Sequence, residues 1–307
     1  MATIKITSRS QLERLKQAAF DRSVSILAKQ AEFTCTKRNP KHGCSSSDLP
    51  CALVADVPPK WTLYEFGAQS AQFSRSFYRL TKDVDGGVVT IDMDKNCDPH
   101  ITMDYREFLI NRADQAFAKL PPDVMVLATN CSSNSMLSVT HHRRHEEPVN
   151  GAPDSLHAAR AIEFANSSAD FLVRLIVKGL EYNKLMLVVF ETPANFLQQQ
   201  PVYYDKLRHA LGLKEARFCR CRLYGTPIRK DTIILNNLAM WRVNRLSYEE
   251  RMCTSRHRCA GVGDKRKHDI ICIGAAAQAS AQLETALCDD VAMACVRELV
   301  FNDQLAY

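Results

Sequence analysis

The 307 residues, 46% of them hydrophobic, suffice for one large α/β core with a small appendage and hardly for two independent domains of ordinary size. No apolar run reaches the roughly 20 residues of a membrane helix, and the opening stretch MATIKITSRSQLERLK lacks the apolar block of a secretory signal, so no membrane association and an intracellular protein are expected. The net charge of +6 is modest, and the 12 cysteines follow no framework spacing, which reads as reduced thiols.

In chain order, residues 9–31 predict an amphipathic helix with Leu12, Leu15, Ala19 and Ile26 at helical spacing and a capping box from Ser8 to Gln11. Residues 32–59, rich in Pro, Ser, Cys and charge, read as an irregular connector. From Trp61 onward short apolar runs alternate with helical patterns: WTLYEF, VVTIDM, DVMVLAT, LMLVVF, a basic strand-like run near RFCRCRLYG, and TIILNN. Buried strands alternating with helices indicate an α/β fold built on a mostly parallel, doubly wound sheet. The clearest helix carries Ala158, Ile162, Ala165, Ala169, Leu172, Ile176 and Leu180 on one face and is expected to cover that sheet. Residues 241–273 read as basic and irregular, and residues 275–300 as a helix with Leu283, Leu287, Val291 and Ala294 on one side.

In an open α/β sheet, ligands sit beyond the carboxyl ends of the strands. The first strand ends in Glu65-Phe66-Gly67, where the glycine lets backbone approach a ligand closely. The second ends at Asp92, placed to accept the hydroxyls of a ribose, and Asp104 follows where a carboxylate can take the amine of an adenine. Helix capping or solvent exposure is the competing reading of both acids. Past the DVMVLAT strand comes Cys131, placed as an exposed nucleophile or else an inert core thiol. The next strand ends in Glu191-Thr192-Pro193, and pairing of these two strands would bring Cys131 close to Glu191. Three basic runs flank these positions: His141 to His145 with Arg143 and Arg144, Ala216 to Lys230 with Arg217, Arg220, Arg222 and Arg229, and Arg251 to Lys267. Each suits a phosphate partner or a solvated face.

From about Trp61 to Asn237 the order of parts resembles the cytosine carbon-5 DNA methyltransferases, above all their short phage and viral members. The most specific run is Cys221, Tyr224-Gly225, Arg229-Lys230, Thr232 and Asn236-Asn237, with Trp241, Cys253 and His257 trailing it. The resemblance implies a Rossmann-like S-adenosylmethionine-dependent methyltransferase fold, with 60–240 as catalytic domain, 1–59 as accessory segment and 241–307 completing the domain. It implies S-adenosyl-L-methionine as cofactor, held by Glu65, Phe66, Gly67, Asp92 and Asp104. It further implies Cys131 as nucleophile, Glu191 as base-binding acid and Arg229 at the base carbonyl. Arg143, Arg144, Arg222 and Lys230 would grip nucleic acid. Asn130 and Thr192 stand where the family has proline and asparagine. Only about 70 residues follow Asn237, fewer than the family's target-reading domain, so low sequence specificity, or specificity supplied by a protein partner, is expected. The setting implied is the nucleus, or host cytoplasm for a viral protein.

Two other readings stay open: an RNA cytosine methyltransferase with the same chemistry, and a nucleic-acid-binding scaffold that kept the fold and lost activity. Zinc ligands of the right type occur as Cys35, His42, Cys44 and Cys51, or Cys253, His257, Cys259 and His268, but neither set has paired Cys-x-x-Cys spacing, and no metal is expected.

Overall fold

Short β-branched and aromatic runs bounded by glycine and aspartate turns become strands, and the longer 3.6-period patterns between them become helices. A computed structural model describes residues 49–68, 71–128, 153, 155–194, 201–225, 230–253 and 285–305. The helix expected over residues 9–31 and most of the connector lie outside the described residues.

The strands are β1 (Trp61–Phe66), β2 (Gly86–Asp92), β3 (Ile101–Thr102), β4 (Val124–Ala128), β5 (Leu187–Pro193), β6 (Lys214–Cys219) and β7 (Asp231–Asn236). They form one seven-stranded sheet in the order β3-β2-β1-β4-β5-β7-β6. Pairings from β3 through to β5 are parallel, whereas β7 runs antiparallel to both β5 and β6. The sheet is therefore mostly parallel and doubly wound, as expected, with a single reversed strand near one edge.

The helices are α1 (Gln72–Thr81), α2 (Tyr105–Asn111), α3 (Ala113–Lys119), α4 (Leu156–Tyr182), α5 (Pro201–Asp205), α6 (Arg220–Tyr224), α7 (Tyr248–Arg251) and α8 (Thr285–Leu305). Strand side chains alternate between two cores because successive residues point to opposite faces. Tyr64, Phe66, Val89, Ile91, Met125, Leu127, Val188 and Phe190 face α2, α3 and α4, whose Phe108, Phe117, Leu172 and Ile176 fill that side. Leu63, Val88, Val124, Val126, Val189 and Phe218 face α1 and α8, meeting Phe73, Phe77, Leu287 and Val291. Helices thus cover both faces, and α4 runs over nearly the span its apolar periodicity predicts.

Two expectations are corrected. The basic run RFCRCRLYG is not one strand: β6 stops at Cys219 and the chain turns at once into α6. The segment after Trp241 is not wholly irregular, since it carries a 3-10 turn at Arg242–Arg245 and α7, the latter held by a capping box between Ser247 and Glu250.

One buried histidine ties the β3 edge together. His100 Nδ1 accepts from the Thr90 amide at 3.2 Å, and its Nε2 lies 2.8 Å from the Leu49 carbonyl, a partner that only a protonated Nε2 can serve. Burial lowers the His100 pKa, only partly offset by the Leu49 carbonyl and the nearby Asp98. An imidazole depressed in the folded state contributes stability fully above its ordinary value of 6.5, and this is lost as pH falls from there toward the folded value. Urea unfolding at pH 7.5 and pH 5 will show the wild-type midpoint dropping on acidification by more than that of His100→Gln; equal drops would contradict this assignment.

Candidate active site

The strand order reverses between β1 and β4, the switch point at which open α/β sheets take their ligands. At its carboxyl edge Gly67 adopts φ +72°, a left-handed conformation that favours glycine. A Cβ built there would lie 3.4 Å from the Ala128 carbonyl oxygen. The backbone of β1 thereby turns tightly against the end of β4. The Gly67 amide donates to the Ile91 carbonyl of β2 at 3.0 Å, which fixes the turn.

Phe66 is fully buried in the core beside Phe108, with ring centroids 5.3 Å apart, so it supports the turn from below. Glu65 points to the opposite face. Its carboxylate accepts the Ser74 amide at 2.9 Å in the first turn of α1, satisfying a helix-end donor. Burial raises its pKa to about 7, against hydrogen bonds from Ser74 and Phe73 that lower it. Glu65 and Gly67 therefore act as one unit that sets the start of α1 over the switch point.

Asp92 closes β2 with only 8% of its surface exposed, and its Oδ1 accepts the Asp94 amide at 2.8 Å. Asp104 caps α2 through the Arg106 amide at 2.8 Å and is gripped by the Arg106 guanidinium at 2.9 and 2.5 Å. Its partial burial would raise the carboxyl pKa, but the Arg106 hydrogen bonds outweigh burial and hold it low. Arg106 in turn lies over the Phe164 ring at 4.3 Å and donates to Ser167 Oγ on α4. Asp104 thus serves as a helix cap and ion-pair partner, and the Asp92 carboxylate closes its strand close to the Gly67 turn.

On the other side of the switch point, Glu191 sits near the end of β5, directly opposite Ala128 of β4. Its Oε1 accepts from Arg220 Nη2 at 2.8 Å. Arg220 has no exposed surface, and its Nε donates to Thr232 Oγ1 at 2.8 Å. The reversed direction of β7 is what brings Thr232 to this edge, next to Thr192 and Ile233 in the β5–β7 ladder.

Sequence reasoning placed Arg220 in a basic run open to a phosphate partner; the structure buries it against Glu191, so that run is not one continuous cationic face. The available signal was an arginine set between a buried strand and a turn, two residues from Arg222. Arg222 and Lys230 are half-buried, and Arg217 is exposed. Cys131, Arg143, Arg144 and Arg229 lie outside the described residues, as do His42, Cys44, His257, Cys259 and His268. Among the described residues no group of three His, Cys, Asp or Glu could hold a metal ion, and no helix is long and apolar enough to cross a membrane.

The topology is a Rossmann-like α/β fold, a mostly parallel sheet with helices on both faces. No protein-family model matches the sequence, and no curated protein matches it either. Among solved structures, the chain is similar to the methyltransferase EhMeth of Entamoeba histolytica, at 13% identity and a TM-score of 0.39, over 59% of this chain and 54% of that one. The chain thus spans about half the length of that structure.

Because removing one partner strands a buried charge, Arg220→Met will lower unfolding free energy by about 3 kcal/mol. The double variant Arg220→Met with Glu191→Gln will recover most of that loss, since Gln keeps a polar group without a charge. Denaturant midpoints check this; a single-variant loss below about 1 kcal/mol would show the pair to be unimportant for stability.

Proposed function

We propose that the chain transfers the methyl group of S-adenosyl-L-methionine to carbon 5 of cytosine in DNA through a covalent adduct on Cys131. The observation that carries this reading is the buried Glu191–Arg220 pair, held opposite the strand end that leads, three residues on, to Cys131. A carboxylate fixed by an arginine, opposite the strand that precedes Cys131 in sequence, suits recognition of a heteroaromatic base. The resemblance to the short viral methyltransferases points the same way.

Gly67 and Asp92 are the residues that would hold the cofactor, with Asp92 at the ribose, and Asp104 would lie near the adenine. When bound, the cofactor supplies an electrophilic methyl group. The remaining work falls to the protein. A thiolate at Cys131 adds to carbon 6 of the pyrimidine and drives electron density onto carbon 5, which is otherwise a poor nucleophile. Glu191 is assigned to ring nitrogen 3, where a proton passed from its carboxyl group would neutralise that density, and Arg220 keeps the carboxyl oriented. Transfer of the carbon 5 proton to a water molecule then expels the thiolate.

Arg229 is assigned to the base carbonyl, where its charge also favours the thiolate. The base must leave the duplex stack, so Arg143, Arg144, Arg222 and Lys230 are assigned to the flanking phosphates.

Incubation of the protein with methyl-labelled S-adenosylmethionine and mixed-sequence DNA or RNA tests this reading. The expected result is label on cytosine carbon 5 of DNA, reduced by at least about 1,000-fold in Cys131→Ala, the scale on which loss of a nucleophile acts. Label on RNA alone moves the assignment to an RNA methyltransferase. No transfer to either polymer contradicts the assigned reaction and favours a nucleic-acid-binding scaffold.

A further inference from the structure

A cavity of about 650 Å³ opens on the outer side of α4, walled by Glu163, Asn166, Asp170, Phe171 and Arg174 of that helix and by Tyr203 of α5, together with Pro153. Neither the cofactor nor the target cytosine is assigned to it. Its volume falls within the roughly 300–1,000 Å³ of small-molecule sites. The direction of α4 gives its place in the fold. Asn183, just past that helix, donates to Asp123, just before β4, at 3.0 Å, so α4 ends at the amino edge of the sheet. Ser167, near the middle of α4, accepts from Arg106, which follows the carboxyl end of β3. The part of α4 that lines the cavity therefore lies toward the carboxyl edge, and α5 follows β5, the strand that carries Glu191.

The walls combine flat surfaces with hydrogen-bonding groups. Phe171 and Tyr203 present rings, and the Arg174 guanidinium lies 5.4 Å from the Phe171 ring while pairing with Asp170 at 2.6 Å. The charge of Arg174 is thus met within the wall. Glu163 is exposed and has no ion-pair or hydrogen-bond partner among the described residues. The walls therefore carry a surplus of one negative charge, which disfavours a phosphate inside, and they offer a carboxylate that accepts from an amine and, in Asn166, an amide with both donor and acceptor. Beyond the walls, Lys206 Nζ lies 5.0 Å from the Tyr203 ring, and no carboxylate pairs with it among the described residues. Rings to stack on, an acceptor for an exocyclic amine, an amide for a ring nitrogen and a cation outside suit a nucleotide held base inward and phosphate outward. A polyamine would meet the carboxylate but would be opposed by Lys206.

We propose that this cavity binds one amine-bearing base of the nucleic-acid strand whose cytosine is methylated, and so reads a nucleotide near the target. The inference rests on the nucleic-acid part of the proposed function and deepens it by placing a second base site on the catalytic domain itself.

The test uses the full chain carrying Cys131→Ala, without methyl donor, and follows the fluorescence anisotropy of labelled single-stranded DNA of equal length made of dA, of dT or of abasic residues. Adenine is the probe because the Glu191 half is assigned to cytosine. The dA strand should bind at least about fivefold tighter than the dT and abasic strands, the low end of what one base contact is worth. Glu163→Gln, at an exposed position, should level dA with dT. Phe171→Leu with Tyr203→Leu should bring dA to the abasic level while leaving the salt dependence of binding unchanged, and an unaltered thermal midpoint shows that this variant is folded. Equal binding of the three strands, or a preference unmoved by Glu163→Gln, overturns the proposal. So does free deoxyadenosine monophosphate binding as tightly as the dA strand, which would assign the cavity to a free nucleotide. A preference that behaves as described in a protein whose Cys131 form transfers no methyl group counts against the proposed reaction and not against this site; methyl transfer without the preference counts against the site alone.

Discussion

A guanidinium with no contact with solvent is sustained only where its charge and its donors are met, and at Arg220 this is done by two strands at once. Glu191 comes from β5 and Thr232 from β7, and the backbone amide of Arg220 itself donates to the Lys230 carbonyl. Breaking a buried pair of this sort costs several kcal/mol, because the surviving charge is left without compensation. The sheet edge is built to make the pair: β7 has to run antiparallel for Thr232 to arrive at the same edge as Glu191, and β6 has to end at Cys219 for Arg220 to turn inward. The Glu191 carboxylate is therefore held in one position by Arg220.

The two halves of the edge are joined through the last helix. Asp290 of α8 accepts from Tyr224 Oη, Trp241 Nε1 and Arg242 Nε, all at 3.1 Å, and so fixes the end of α6, at whose start Arg220 lies. The adjacent Asp289 accepts from Ser76 Oγ at 2.6 Å and pairs with Arg79, both on α1, the helix that Glu65 positions over the Gly67 turn. Two neighbouring carboxylates on α8 thus connect the glycine turn to the helix that carries Arg220. Helix α8 also supplies Leu287, Cys288, Val291 and Cys295 to the core on this side, which gives the connection a packed base.

Much of the fold was legible in the sequence because its signals are local. The apolar runs at Trp61, Val88, Val124 and Leu187 are strands that lie near the centre of the sheet, and such strands have to be apolar on both faces. The face from Ala158 to Leu180 follows from 3.6-residue periodicity, and α4 carries it. What was not legible depended on tertiary contacts. Strand β3 has two residues, too few to show any period. The break at Cys219 is masked by the apolar and cysteine residues on both sides of it, which suit a strand and a buried helix turn equally. Asp104 reads as a ligand acid or a helix cap from its neighbours alone, and only the position of Arg106 over Phe164 reveals that it is clamped. Arg220 looks like one more cation in a basic run until β7 is known to reverse. Its partner Glu191 was expected toward the end of a buried strand, and it lies there.

We propose that the edge holding Gly67 and Asp92 binds an adenosyl cofactor and that the Glu191–Arg220 pair belongs to a separate base-binding half. Isothermal titration of S-adenosylmethionine and S-adenosylhomocysteine into wild type, Asp92→Ala and Glu191→Gln tests it directly. The account predicts one site per chain, affinity at least about tenfold weaker in Asp92→Ala, as loss of a charge-assisted hydrogen-bonded contact implies, and affinity within about twofold of wild type in Glu191→Gln. Absence of binding to wild type, or binding indifferent to Asp92, would contradict it.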